Sequence, residues 1–363
     1  MSEQQKKYKI ALIGDCLSLG GAEKVLAILS NYFAKNDLAV HNCIFVDQVT
    51  YDYSGSLLNL GKIKPNSSSM VRKYYRFFAF RKFIKSNNFD CLIDFRMRQN
   101  HVLEFVLSRF VYPKNSIYTV HSGILKFYFP KSSTITKLIY KNKKIACVSR
   151  AIKSEIISKN LVNHAITIYN PIDFDKIEIK INEFQVSDKY ILAVGNMNTD
   201  NKQFDKLIDC YFKSELPKKN IKLFILGDGI LKKNYLETVN SLNLSDLVFF
   251  KGIFDNPFPY FHKAIFLVSC SKNEGFPNVL IESLACGTSI IAFDCFSGPN
   301  EIITNHENGI LVENQNVDKL TDAMNLFVND TVLYQNCKKN TLNSVQKFSI
   351  EKIGKQWLEL IKS

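Results

Sequence analysis

No stretch of the chain approaches the roughly 20 consecutive apolar residues that a membrane-spanning helix requires. The nine cysteines include no CxxC pair and no metal-ligand spacing, and each lies singly inside an apolar run, which reads as small buried hydrophobes in a reducing compartment. The G-x-G-x-x-G dinucleotide fingerprint is missing, as are internal repeats of solenoid period and low-complexity tracts. The opening MSEQQKKYKIALIG moves straight into a strand-length run and lacks the longer apolar core of a signal peptide. Long disorder has no compositional support either, with 46% hydrophobic and 22% charged residues. These absences point to a folded protein expected in the cytoplasm, at most peripheral to the inner face of the cell membrane.

A chain of 363 residues exceeds what one hydrophobic core usually organises, about 100 to 200 residues, so two domains are expected. The net charge of +13 is uneven: residues 1–180 carry 28 basic against 13 acidic residues, and residues 181–363 carry 19 against 21. A basic first half suits an anionic partner, such as an acidic membrane surface or a phosphorylated lipid. A nucleic acid would also fit the charge, but no nucleic-acid recognition module is present, so none is expected as a partner.

The first half alternates strand candidates (YKIALIG, HNCIFV, DCLIDF, SIYTVH, KIACVS) with helix-length segments at 22–35, 69–85, 98–110 and 150–159. The second half repeats the scheme with KYILAVG, IKLFILG, LVFFKG, IFLVSC, TSIIAF and GILV. Little polar alternation runs through these strands, as in parallel sheets covered on both faces. The expected organisation is an α/β protein with a Rossmann-like acceptor domain at 1–172 and a Rossmann-like donor domain at 173–348. Residues 349–363 form a last helix crossing back to the first domain. Pro171 in YNPIDFDKIEIK marks the linker.

Several residues are chemically suggestive. Gly20 and Gly21 stand at a strand-to-helix turn, where glycines either simply close the turn or let amides approach an anion at the helix start. In Glu274-Gly275-Phe276-Pro277-Asn278-Val279-Leu280-Ile281-Glu282, two carboxylates eight positions apart on a helix-opening segment lie about two turns apart. They can grip an elongated polar ligand, or merely complement a helix dipole and face solvent. Asp173-Phe174-Asp175 has the form of an Asp-x-Asp metal motif but sits in the linker, where aspartates serve as turn and cap formers. No other cluster has metal spacing, and no cofactor or metal is expected. Val71 to Lys85, VRKYYRFFAFRKFIK, mixes aromatics and cations. It reads either as an interfacial helix on anionic lipid or as a crossover helix with a snorkelling basic face.

The Glu274 to Glu282 segment and its surroundings, SCSKNEGFPNVLIESLACGTSIIAFDCFSGPNEIITNHENGILV, resemble glycosyltransferase family 4. So do GGAEKV, YTVHSG, YNPID, VGNMNTDNK and LGDG, in the family's order along most of the chain. The resemblance implies a GT-B fold, two Rossmann-like doubly wound parallel-sheet domains facing a central cleft. It implies a retaining, metal-independent transfer of a hexose or N-acetylhexosamine from a nucleotide diphosphate sugar, UDP by analogy, to a lipid-linked or polysaccharide acceptor of a bacterial surface glycan. Under it, Glu274 lies at the donor sugar and Glu282 holds the ribose hydroxyls. The amides of Gly275, Phe276, Asn278 and Val279 beside Pro277 face sugar or phosphate, and Phe296 to Glu301 lies near the donor. Lys202, seven residues after Gly195, resembles the diphosphate-binding lysine, and His121 the histidine near the anomeric centre. Asn196 stands where the family usually has arginine, so a phosphate cation comes from elsewhere, with Arg96, Arg98 and Arg150 as candidates. Asp94 and Arg96, with His121 and the basic patch, are the candidate acceptor contacts. That departure at Asn196 keeps open a catalytically lapsed subunit that only binds a sugar nucleotide. A hydrolase or epimerase on the same fold is the nearer rival.

Overall fold

The computed structural model describes residues 7–64, 66–140 and 142–363; the charged start through Lys6, and the part of the leader reading that falls on it, lie outside them. The chain divides into two units: Met1–Pro171 together with Ile350–Ser363, and Ile172–Ser349.

The first unit is built on seven parallel strands: β1 (Lys9–Gly14), β2 (Ala39–Ile44), β3 (Ser56–Asn59), β4 (Cys91–Asp94), β5 (Ser116–Val120), β6 (Lys144–Cys147) and β7 (Ile166–Thr167). Their spatial order is β3-β2-β1-β4-β5-β6-β7. The chain therefore leaves β1 towards one edge and returns to build the other, and the reversal between β1 and β4 opens a crevice at the strands' carboxyl ends. Strands β1, β4 and β5 are buried along almost their whole length, which is why they read as unbroken apolar runs. The helix Ile350–Lys362 completes this unit's core by burying Ile353, Trp357 and Ile361 beside Ile10, Leu26 and Phe33. Gly354 sits where a Cβ would lie 2.3 Å from the Tyr32 ring, so the helix approaches Gly21–Lys35 closely only because that position lacks a side chain.

The second unit is a six-stranded parallel sheet: β8 (Tyr190–Val194), β9 (Lys222–Leu226), β10 (Val248–Gly252), β11 (Phe266–Ser269), β12 (Ser289–Phe293) and β13 (Gly309–Val312). Its order, β10-β9-β8-β11-β12-β13, places the reversal between β8 and β11. Each sheet is a Rossmann-like doubly wound layer.

Every strand named from the sequence is present, but in the first unit three of the described strands and α-helices were not legible: the half-exposed edge strand β3, the two-residue β7, and the helix Ser133–Tyr140. The helix expected at 98–110 is shorter. Asn100 caps a helix His101–Val106, which runs into a π-helical turn Leu107–Val111. Asp173 is a helix cap, its Oδ1 accepting from the Lys176 amide at 3.0 Å and opening Phe174–Lys180. Eight of the nine cysteines are buried free thiols, and Cys16 is partly exposed.

Candidate active site

In the second unit, the segments leaving β8 and β11 at the reversal are joined by an exposed ion pair, Lys272 with Asp200, and by a more buried one, Lys202 with Glu274. Lys202 Nζ stands 2.6 Å from Glu274 Oε1, with the two side chains 21% and 14% exposed. Lysine 202 ends a short 3₁₀ turn, Asp200–Lys202, and its stem runs over Gly195, where a Cβ would lie 2.7 Å from Lys202 Cγ. Two further glycines make the backbone crossing beneath. Gly227, at φ +131°, would put a Cβ 1.9 Å from the Gly195 carbonyl oxygen, and Gly229, at φ +152°, would put one 2.4 Å from the Met197 carbonyl carbon. The VGNMNTDNK and LGDG motifs are thus one packed unit, in which glycine is required by both space and dihedral at Gly227 and Gly229 and by space at Gly195.

Glu274 lies in the loop before the helix Asn278–Ala285, not on it. The geometry of two carboxylates two turns apart on one helix therefore does not apply; Pro277 cannot donate a helical hydrogen bond, and the helix begins only after it. Glu282 is on the helix, one turn into it. Pro277 caps this helix without a side-chain hydrogen bond, and the amide end of a helix carries the positive end of its dipole, which favours an anion. Gly275 and Phe276 are buried, and the Phe276 ring packs 5.1 Å from Phe348. That residue can offer a ligand its main chain only, while Asn278 and Val279 are partly exposed. The segment Phe296 to Glu301 braces the loop: Glu274 N donates to Phe296 O at 3.4 Å, Ser297 Oγ donates to Gly275 O at 2.5 Å, and Gly298, at φ +100°, fits against Pro277. Asn196 is exposed, and its Oδ1 accepts from the Asn198 amide at 2.6 Å.

In the first unit, the residues following β1, β4 and β5 gather at the carboxyl edge. Asp15 Oδ2 accepts from the Met97 amide at 3.3 Å, across the reversal. Gly20 and Gly21 open the helix Gly21–Lys35, and the Glu23 carboxylate folds back over Gly20, where a Cβ would be 1.8 Å from Oε2. Burial pushes the Glu23 carboxyl up to about 7, helped by Asp15, and burial raises Asp15 as well. Sequence reasoning missed both carboxylates; the signal was an aspartate directly after an apolar strand and an acid in the first helical turn after Gly-Gly.

His121 follows β5. Both its ring nitrogens are closed off and without a hydrogen-bond partner among the described residues, and the Phe95 ring lies 5.6 Å away. Burial, with a contribution from the Arg98 charge, holds its imidazole down to about 3.

The acceptor assignment of Asp94 and Arg96 is corrected by their surroundings. They are 0% and 5% exposed. Arg96 donates to Asp94 Oδ1 at 3.0 Å and Oδ2 at 2.7 Å, and to both oxygens of the buried Glu104, while Tyr112 Oη donates to Asp94 Oδ2 at 2.9 Å. Burial alone would raise the Asp94 carboxyl, but Arg96 and Arg98 outweigh it and hold it below the usual range. The pair builds the turn after β4 and has no side to give a ligand. Arg98, fully buried among main-chain carbonyls, is likewise committed, so of the three arginines named as phosphate cations only the exposed Arg150 keeps an outward position.

Residues 19–176 match the family described as Glycosyltransferase Family 4, and residues 174–344 match Glycosyl transferases group 1. The chain is similar, at 27% identity over 97% of its length and 99% of the relative's, to the N-acetylgalactosamine-N,N'-diacetylbacillosaminyl-diphospho-undecaprenol 4-alpha-N-acetylgalactosaminyltransferase of Campylobacter jejuni. It is 26% identical to the amylovoran biosynthesis glycosyltransferase AmsD of Erwinia amylovora, over 98% of this chain and 99% of that one. The fold alone is shared with the solved sucrose-phosphate synthase of Thermosynechococcus elongatus, at a TM-score of 0.80 and 20% identity over 98% of each chain. With both units accounted for by adjoining family matches and both sheets doubly wound, the chain belongs to the GT-B glycosyltransferases of the family 4 kind.

Proposed function

We propose that the chain transfers a hexose or N-acetylhexosamine from a UDP-sugar, with retention and without a metal, to a lipid-linked or polysaccharide acceptor in bacterial surface-glycan synthesis. The observation that carries this reading is the Lys202–Glu274 pair at the reversal of the second sheet. A lysine held there by a carboxylate is a preset cation for the leaving diphosphate, whose charge grows as the glycosidic bond breaks; stabilising developing charge is where electrostatic catalysis acts. Glu274 then accepts from donor-sugar hydroxyls, and Glu282 from the vicinal ribose diol, which two carboxylate oxygens match. His121, in the first unit, is assigned to orientation near the anomeric carbon. Its neutral imidazole is not the base; the leaving phosphate takes the acceptor's proton on the same face. The lipid-linked acceptor class is supported by the full-length likeness to the Campylobacter transferase, whose name carries a diphospho-undecaprenol.

The helix Ser69–Asn87 supports a membrane-side role. Phe80 and Ile84 turn into the core, and Arg76 anchors the helix by donating to Gly61 O at 2.8 Å. On the outside, Met70, Val71, Tyr74, Tyr75 and Phe78 are exposed beside Lys73, Arg81, Lys82 and Lys85. Exposed aromatics with cations suit an anionic interface, each cation contributing about 1 kcal/mol near an acidic leaflet. No helix among the described residues is long and apolar enough to cross a membrane.

The test is turnover of UDP-N-acetylhexosamines and UDP-hexoses in chelator with an undecaprenyl-diphosphate glycan acceptor, the product anomer being read by proton coupling. An α-linked product from an α-linked donor supports the reading. Nucleotide binding without turnover would instead favour a lapsed subunit, and donor breakdown without acceptor a hydrolase or epimerase.

A further inference from the structure

We propose that Arg98 is a positioning residue for His121, clamping the main chain on both sides of the histidine. Its Nη2 donates to Thr119 O at 2.8 Å, two residues before His121, and its amide donates to Phe127 O at 2.7 Å, six residues after. Nη1 reaches back to Arg96 O at 3.1 Å and Asp94 O at 3.4 Å, while Thr119 Oγ1 donates to Asp94 O at 3.0 Å. One residue therefore fixes the ends of β4 and β5 and the start of the loop that follows them. This inference rests on the assignment of His121 to the transfer site.

The chemistry of the surroundings separates this arginine from a core filler. Its guanidinium is wholly buried between the Tyr118, Tyr128 and Tyr140 rings, at 5.4, 5.1 and 5.8 Å. Among the described residues no carboxylate pairs with it, because Arg96 takes the Asp94 and Glu104 oxygens, and Arg98 Nε has no partner. Keeping a cation in such a place costs stability that an apolar side chain would not. Burial is the main reason that His121 stays unprotonated, and the Arg98 charge adds to it. A neutral histidine adds no charge of its own beside a forming oxocarbenium.

Histidine-labelled protein, with the His121 signal assigned by its loss in His121→Gln, gives the first readout. Wild-type His121 should stay neutral across about pH 5 to 8, and a midpoint near the ordinary histidine value would overturn the inference. In Arg98→Met, kcat should fall about 10- to 100-fold, as for a displaced reacting group, with donor KM unchanged and the His121 midpoint moved upward. Arg98→Lys, which keeps the charge and loses the two-armed clamp, should lower kcat without moving the His121 midpoint and stands in if Arg98→Met does not fold. Wild-type kcat and His121 midpoint in both variants would overturn the proposal. So would an equal loss from Arg98→Met in the His121→Ala background, since the arginine would then act independently of the histidine. Undiminished turnover in His121→Ala itself would instead remove the reading of His121 on which this one stands.

Discussion

Gly195→Ala should abolish most donor binding without touching any atom of the donor. The new methyl would sit 2.7 Å from Lys202 Cγ and 3.0 Å from both Cδ and Cε, distances that side-chain carbons do not tolerate. Because the clash is with the stem, close to the backbone, the lysine cannot clear it by moving its tip alone and must leave the path that brings Nζ to Glu274. Folding should change little: the residue needs no positive φ, and the ion pair lost is partly solvated, of the kind worth about 1 kcal/mol or less. Donor affinity should change far more. A charge-assisted hydrogen bond to phosphate is worth about 1.5–3 kcal/mol, hence a Kd weakened about 10- to 150-fold. Calorimetric titration of UDP into wild type, Gly195→Ala and Lys202→Met, beside thermal unfolding of each, checks the reasoning. The two single variants should lose similar affinity, and the double variant little more. Unchanged UDP affinity in Gly195→Ala with an unchanged melting temperature would refute the placement of Lys202 on the diphosphate.

Asp94→Ala leaves Arg96 buried without its main partner, and breaking such a pair costs about 3–5 kcal/mol. Melting should fall by roughly 6–20 °C for a domain of this size, while an acceptor-contact role would instead raise acceptor KM with melting intact. Trp357→Ala, at a position 3% exposed in the first unit's core, should cost about 3–5 kcal/mol, seen as earlier chemical denaturation. Glu23 has a folded pKa raised from about 4.5 to about 7, so the folded state holds its proton more tightly than the unfolded chain. Stability should therefore decline as pH rises from about 5 to 8, by an amount on the order of 3 kcal/mol, and Glu23→Gln should flatten that decline in a melting series.

The strands were legible because parallel strands covered on both faces leave unbroken apolar runs, as in KYILAVG and IFLVSC. Edge strand β3 escaped notice because SLLN is half exposed and short. The Lys202 and Glu274 pairing could be named only through family likeness: 72 residues separate them, and it is the strand order β8-β11 that makes them neighbours. Arg96 and Arg98 misled for a related reason. Charged residues just after an apolar strand suggest a ligand edge, yet their partners Glu104, Tyr112 and Thr119 come from elements later in the chain, and burial is invisible in local pattern. Glu274 and Glu282 were placed on one helix because the spacing allowed it; Pro277 between them sets the true start.

The most direct test of the donor site is calorimetric and thermal-shift binding of UDP, GDP, ADP and CMP, each with its common sugars, in chelator, to wild type and Glu282→Ala. At 100 times the Kd a one-site ligand should stabilise by about 2.7 kcal/mol. A single nucleotide family binding one per chain, unaffected by chelator and weakened at least about tenfold in Glu282→Ala, is the expected result. No binding of any nucleotide diphosphate by the folded wild-type protein would contradict the assignment of the second unit as the donor domain.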